Sequence, residues 1–129
     1  MTAHARHALH EIAPADLHDR LLRHEVILVD VREAHEYAAE RIQGALLFPL
    51  STFDPLALPA DPPRPVVLQC GSGKRSAMAL TRCGAVGVPV DTHLVGEIAA
   101  WKVAGLPTVT LDPATGVVVD RQQRCRTRD

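Results

Sequence analysis

Four short strand-forming runs punctuate this chain, at residues 26–29, 45–48, 66–68 and 92–95, and stretches with helical spacing lie between them. The run Val26-Ile27-Leu28-Val29 has no polar break, the pattern of a strand covered on both faces. The spacing predicts helices at 14–22, 33–41, 75–86 and 98–103. Pro14 sits in the first turn of the first helix, where a missing N–H is harmless, and Leu17, Leu21 and Leu22 are expected on one face. Gly87 ends the third helix; Gly105 closes the fourth and Pro107 stops it. Residues 51–65 carry Pro55, Pro59, Pro62, Pro63 and Pro65, so an irregular connection is expected there. Near the end, residues 112–116 read as a turn and 117–119 as a short strand. Strands alternating with helices imply a parallel sheet with helices on both faces.

Composition narrows this picture. At 129 residues the chain is long enough for one core, and 47% hydrophobic content with only 3% aromatics makes that core aliphatic. A net charge of -1 supplies no global field for nucleic acid or an acidic membrane surface. The apolar runs are too short to span a bilayer. The segment 1–7 has no apolar core and does not read as a secretory signal. Three cysteines, Cys70, Cys83 and Cys125, are odd in number and widely spaced. That argues against a disulfide framework and fits a reducing cytosol. No C-x-x-C pair is present, which argues against structural zinc, and no cofactor is expected.

The chemistry concentrates at residues 66–76. An apolar strand ends in Cys70, and Gly71-Ser72-Gly73-Lys74-Arg75-Ser76 follows before a helix-forming run. In open α/β sheets, reactive groups gather at the carboxyl ends of strands. Successive N–H groups in such a loop, with the positive end of the helix dipole behind them, form an anion cradle. Opposite charge and N–H donors favour the thiolate. The loop therefore suits cysteine chemistry on an anionic group.

Three blocks carry a resemblance to rhodanese-type sulfurtransferases. The first is Asp30-Val31-Arg32-Glu33 with Glu36-Tyr37, Arg41-Ile42-Gln43-Gly44-Ala45 and Pro49. The second is the loop 70–76, and the third is Leu94-Val95-Gly96-Glu97 with Ala100-Trp101 and Gly105-Leu106-Pro107. They come in the family's order over residues 11–107. The resemblance implies a three-layer α/β fold with a central parallel sheet of about five strands. It also implies a Cys70 that takes sulfane sulfur as a persulfide and passes it to cyanide or a thiol. By the same resemblance, Gly71 to Ser76 supply the cradle, Arg75 closes the loop and binds anion, and Lys74 holds the sulfonate end of a donor. The Ser72 and Ser76 hydroxyls are candidate donors to the sulfur. The implied partners are a small anionic sulfur donor, a thiol or cyanide acceptor, and a sulfur-donor protein in a relay variant. The location expected is cytoplasmic.

Loop length separates this reading from related chemistries. Protein tyrosine phosphatases place five residues between cysteine and arginine; four separate Cys70 from Arg75. The smaller ring suits a sulfur atom better than a tetrahedral phosphate, so a phosphatase or arsenate reductase is the lesser reading. Gly73-Lys74 is no nucleotide P-loop, because Leu68 stands where that motif needs glycine. The chain departs from the family pattern at Glu40, where glycine is frequent, and at Arg41, where histidine is. Glu97 replaces the second glycine of a usual pair. Near the loop its charge would oppose anionic donors; in the first helical turn it would complement the dipole.

The remaining residues read as structural. Asp30 and Arg32 are expected as an ion pair near the site, Cys83 and Trp101 as core, and Cys125 as incidental. His4, His7 and His10 could share a helix face. Residues 1–10 are expected as a mobile extension and 108–129 as a C-terminal extension, its arginine-rich end solvated.

Overall fold

A computed structural model describes residues 9–59, 64–71 and 73–121. Ser72, His4, His7, Pro62, Pro63, Cys125 and the arginines after Arg121 lie outside the described residues.

Among the described residues, five parallel strands form the central sheet: β1 (His10–Ile12), β2 (Ile27–Asp30), β4 (Leu46–Leu47), β5 (Val66–Gln69) and β6 (Thr92–Leu94). Their order across the sheet is β1-β6-β5-β2-β4. The register pairs Val29 with Leu68 and Asp30 with Gln69, so the strand ends of β2 and β5 are level. Period-two alternation divides their apolar runs between two cores. Val29, Leu68 and Cys70 pack with Leu80 and Cys83 on one face. Leu28 and Val67 pack with Leu17, Ile98 and Trp101 on the other. The continuous run at 26–29 is thus explained: the middle strands are covered twice.

Among the described residues, four helices cover the sheet: α1 (Pro14–Leu22), α2 (Ala34–Ala39), α3 (Lys74–Ala85) and α4 (Glu97–Val103). On α1, Leu17 is fully buried, but Leu22 is 66% exposed. Five residues on, it points roughly 140° away from Leu17 at 3.6 residues per turn, so the expectation of one shared face fails for it. Helix α2 is shorter than the expected 33–41. Glu33 and Glu36 close a capping box at its start. At its end the chain extends into β3 (Glu40–Arg41), which pairs antiparallel with β7 (Thr108–Leu111). Three tertiary bonds hold Glu40 there: its carbonyl accepts from Arg32 Nη2 at 2.6 Å, and its carboxylate meets Lys102 Nζ at 2.7 Å and Thr108 Oγ1 at 2.6 Å. Arg41 lies over the Tyr37 ring, 4.9 Å from its centre.

β7 continues through a turn, with Gly116 N–H donating to Asp112 O at 2.7 Å, into β8 (Val118–Arg121). A second sheet, β3-β7-β8, results. The described parts of the 51–65 connection, residues 51–59 and 64–65, are irregular as expected, apart from single 3-10 turns at Leu50–Thr52 and Pro55–Ala57. His10 belongs to a strand rather than to a helix face, and Trp101 is core at 1% exposure. Among the described residues no helix is long and apolar enough to cross a membrane.

Candidate active site

Cys70 follows β5 directly and is fully buried at the floor of the loop. Its Sγ accepts hydrogen bonds from the N–H groups of Gly73 at 3.0 Å and Ser76 at 3.3 Å. Helix α3 starts immediately after Gly73, whose φ of +80° lies in the left-handed region. Glycine reaches that region without strain, and the turn swings the first N–H groups of α3 back toward the sulfur. Two N–H groups, those of Gly73 and Ser76, therefore converge on Sγ.

The hydroxyl of Ser76 behaves differently from the expectation that it serves the sulfur. It lies 2.7 Å from His93 Nδ1 and donates to Gly73 O at 3.3 Å. The backbone of Ser76, not its side chain, contacts Sγ. The physical reason is helical: a first-turn N–H has no partner within the helix and turns to the anion site, while the hydroxyl is engaged by the Gly73 carbonyl and the His93 ring.

Arg75 reaches across to α2 and forms a bidentate pair with Glu36, at 2.7 and 3.0 Å. The pair holds the Glu36 carboxyl at about 2, chiefly through the Arg75 hydrogen bonds. A Cβ at Gly71 would lie 3.1 Å from Arg75 Nη2, a tight contact that the guanidinium would have to relieve by a shift of a few tenths of an ångström. Gly71 and Lys74 are exposed at the rim. Arg75 is thus substantially neutralised by Glu36, and Lys74 presents its charge to solvent.

Asp30 and Arg32 form a buried pair beneath this rim. Arg32 Nη2 meets Asp30 Oδ2 at 2.9 Å, and the Arg32 N–H donates to Asp30 Oδ1 at 2.9 Å. Arg32 Cδ lies 3.6 Å from the position of a Gly71 Cβ, so the pair supports the loop from below. Beside them, the fully buried amide of Gln69 finds no hydrogen-bond partner among the described residues. Such a group costs about 1–3 kcal/mol.

Two neighbours, Glu36 and His93, escape a functional reading of the sequence, and a third, Glu97, carries two. Glu36 stood in a motif without a role; its spacing from Glu33 announces a cap, and nothing local announces a partner 39 positions on. His93 on β6 is buried beside Ser76. Glu97 opens α4, and its Oε1 accepts the Cys70 N–H at 2.8 Å. Both placements considered for Glu97 hold at once: first helical turn and reach of the loop. Burial pushes its carboxyl above the usual range, hydrogen bonds with the Cys70 backbone and side chain pull it down, and Glu11 and Asp30 push it up again. Cys83, apart from the loop, has its thiol raised to about 11 by burial alone.

This geometry agrees with what the chain is similar to. A family model described as rhodanese-like domain matches residues 13–104. Uncharacterized protein slr1261 of Synechocystis is 45% identical over 98 residues, covering 76% of this chain and 55% of that protein. The chain therefore spans about half the length of that relative. A protein of Allochromatium vinosum named sulfurtransferase is 37% identical over 103 residues, covering 78% and 95%. Among solved structures, a rhodanese-related protein from Thermoplasma volcanium superposes with a TM-score of 0.65 at 25% identity, covering 78% of this chain and 97% of that one. The chain belongs to the rhodanese-like domain family.

Proposed function

We propose that this chain is a sulfurtransferase that carries sulfane sulfur as a persulfide on Cys70. The observation that carries the reading is the Cys70 sulfur at a strand's carboxyl end, held by two converging N–H donors. Such donors stabilise a sulfur anion before and after loading. The thiolate attacks the outer sulfur of a donor such as thiosulfate; sulfite leaves with the bonding electron pair. Cyanide or a thiolate then takes the outer sulfur from Cys70. Lys74 is an exposed cation at the rim and the proposed contact for an anionic donor. The relative named sulfurtransferase supports the reaction class. Both described cysteines carry thiols, which supports a reducing, cytoplasmic setting.

One observation favours a second reading, a relay loaded by a protein persulfide. The Arg75–Glu36 pair and the carboxylate of Glu97 at Cys70 leave the cradle little net positive charge for a dianion.

The test is intact-protein mass after incubation with excess thiosulfate, and separately with a persulfide-bearing protein, for wild type and Cys70→Ser. A gain of one sulfur atom, absent in the variant and discharged by cyanide, is expected. Loading only by the protein donor selects the relay. An adduct retained in Cys70→Ser, or none with either donor, overturns the proposal.

A further inference from the structure

Sulfur transfer through Cys70 and its N–H donors leaves the buried carboxylate of Glu97 without a task. Glu97 is 3% exposed, and its Oε1 takes the Cys70 N–H at 2.8 Å. The same carboxylate hydrogen-bonds the Cys70 side chain. Its Oε2 lies 3.4 Å from the position a Gly73 Cβ would occupy, so it sits directly under the loop. Glu97 also holds a φ of +59°, a strained conformation for a residue with a side chain. Such strain persists where surroundings impose it, and it concentrates at functional sites.

Groups from four strands face this carboxylate. Cys70 follows β5. His93 on β6 brings Nδ1 to 3.8 Å, and its Nε2 lies 3.9 Å from Glu11 on β1. Asp30 on β2 and Glu11 itself act through their charge. A thiolate and a carboxylate in contact, with further acids nearby, repel one another, and a proton on either relieves the repulsion.

We propose that Glu97 is a catalytic residue that stores the proton of Cys70, taking it when the thiolate forms and returning it when the thiolate is regenerated. The inference rests on the reading of Cys70 as the sulfur carrier. In the first step the S–H bond breaks, and Cys70 thiol with Glu97 carboxylate becomes Cys70 thiolate with Glu97 carboxylic acid. Sγ then bonds to the donor's outer sulfur, the donor's S–S bond breaks, and the leaving group departs with the electron pair. The loaded site holds one anion, the persulfide, beside a neutral acid. An acceptor thiolate or cyanide bonds to the outer sulfur, the bond to Sγ breaks with its pair on Sγ, and Glu97 gives its proton back. No oxidant or reductant is consumed, because the sulfur moves from donor to acceptor at the sulfane level.

The rate of Cys70 alkylation by iodoacetamide against pH tests this without any sulfur donor. Wild type is expected to show two steps, one for each proton of the pair. Glu97→Gln keeps a carbonyl for the Cys70 N–H and is expected to lose one step. A single step in wild type, or two steps retained in Glu97→Gln as titration of His93 would give, overturns the proposal. A second measurement needs no variant: the infrared difference between free and persulfide-loaded wild type is expected to show a protonated-carboxyl C=O stretch appearing on loading. Its absence from loaded protein overturns the proposal. Failure of the sulfurtransferase reading looks different: no persulfide forms, while the two-step profile remains.

Discussion

Glu36 and Arg75 decide how much charge the loop offers. Each side chain is over one quarter exposed, at 29% and 27%, so solvent screens the pair. Glu36→Gln should therefore cost only about 1 kcal/mol in urea unfolding. The pH dependence has a definite sign. The carboxyl sits at about 2 in the folded chain against a usual 4.5. Its stabilisation is in full force above pH 4.5 and fades as pH falls toward 2. The difference between wild type and variant should shrink across that window; a difference unchanged down to pH 2 would show that the pair does not act through charge. Freed from Glu36, Arg75 would add positive charge at the rim, so thiosulfate loading of Cys70 should show a stronger dependence on salt in this variant.

The junction of β5 with α3 is where an element makes the site. The strand delivers Cys70, a left-handed glycine reverses the chain, and the helix returns its unpaired N–H groups to the sulfur. Gly73→Ala places a Cβ at φ +80° and is expected to cost about 1–2 kcal/mol. Relief of that strain would tilt the Gly73 N–H away from Sγ, so persulfide loading should slow together with the loss of stability. Unchanged stability in chemical denaturation would mean that the backbone there is not held at positive φ. Element boundaries elsewhere follow tertiary bonds: α2 stops at Ala39 because Arg32, Lys102 and Thr108 all claim Glu40.

Two cores, aliphatic apart from Phe53 in one and Trp101 in the other among their buried residues, clamp a parallel sheet whose strand ends hold the loop. The β7–β8 hairpin lies on the second sheet, attached through β3 and through buried Val109. A chain ending at residue 107 would expose β3 and lose the burial of Val109, worth about 2 kcal/mol. At about 4 °C per kcal/mol, the melting temperature should drop by about 8 °C. Cys70 should still load sulfur, since the hairpin supplies none of the residues around Sγ described above. A truncated chain that melts normally would show that the hairpin adds nothing to the domain.

Local signals alone were enough for the sheet-and-helix alternation, the two-faced burial of the central strands and the cysteine loop. Each depends on periodicity, on glycine and proline, or on residues adjacent in the chain. Even the N–H cradle is local, because Gly73 and Ser76 lie within six residues of Cys70. The partners that set the site's charge are not. Glu36 comes from 39 positions before Arg75, and Glu97 from 27 positions after Cys70. Their carboxylates look like ordinary helix-start acids in the sequence, and only the packing of α2 and α4 against the ends of the strands turns them toward the loop. Strands β1 and β3 were equally silent: they are short, their apolar pattern is weak, and hydrogen bonds to distant strands, rather than intrinsic preference, make them extended. Strand β7 does carry a local signal, the period-two run Thr108-Val109-Thr110-Leu111 between Pro107 and Asp112.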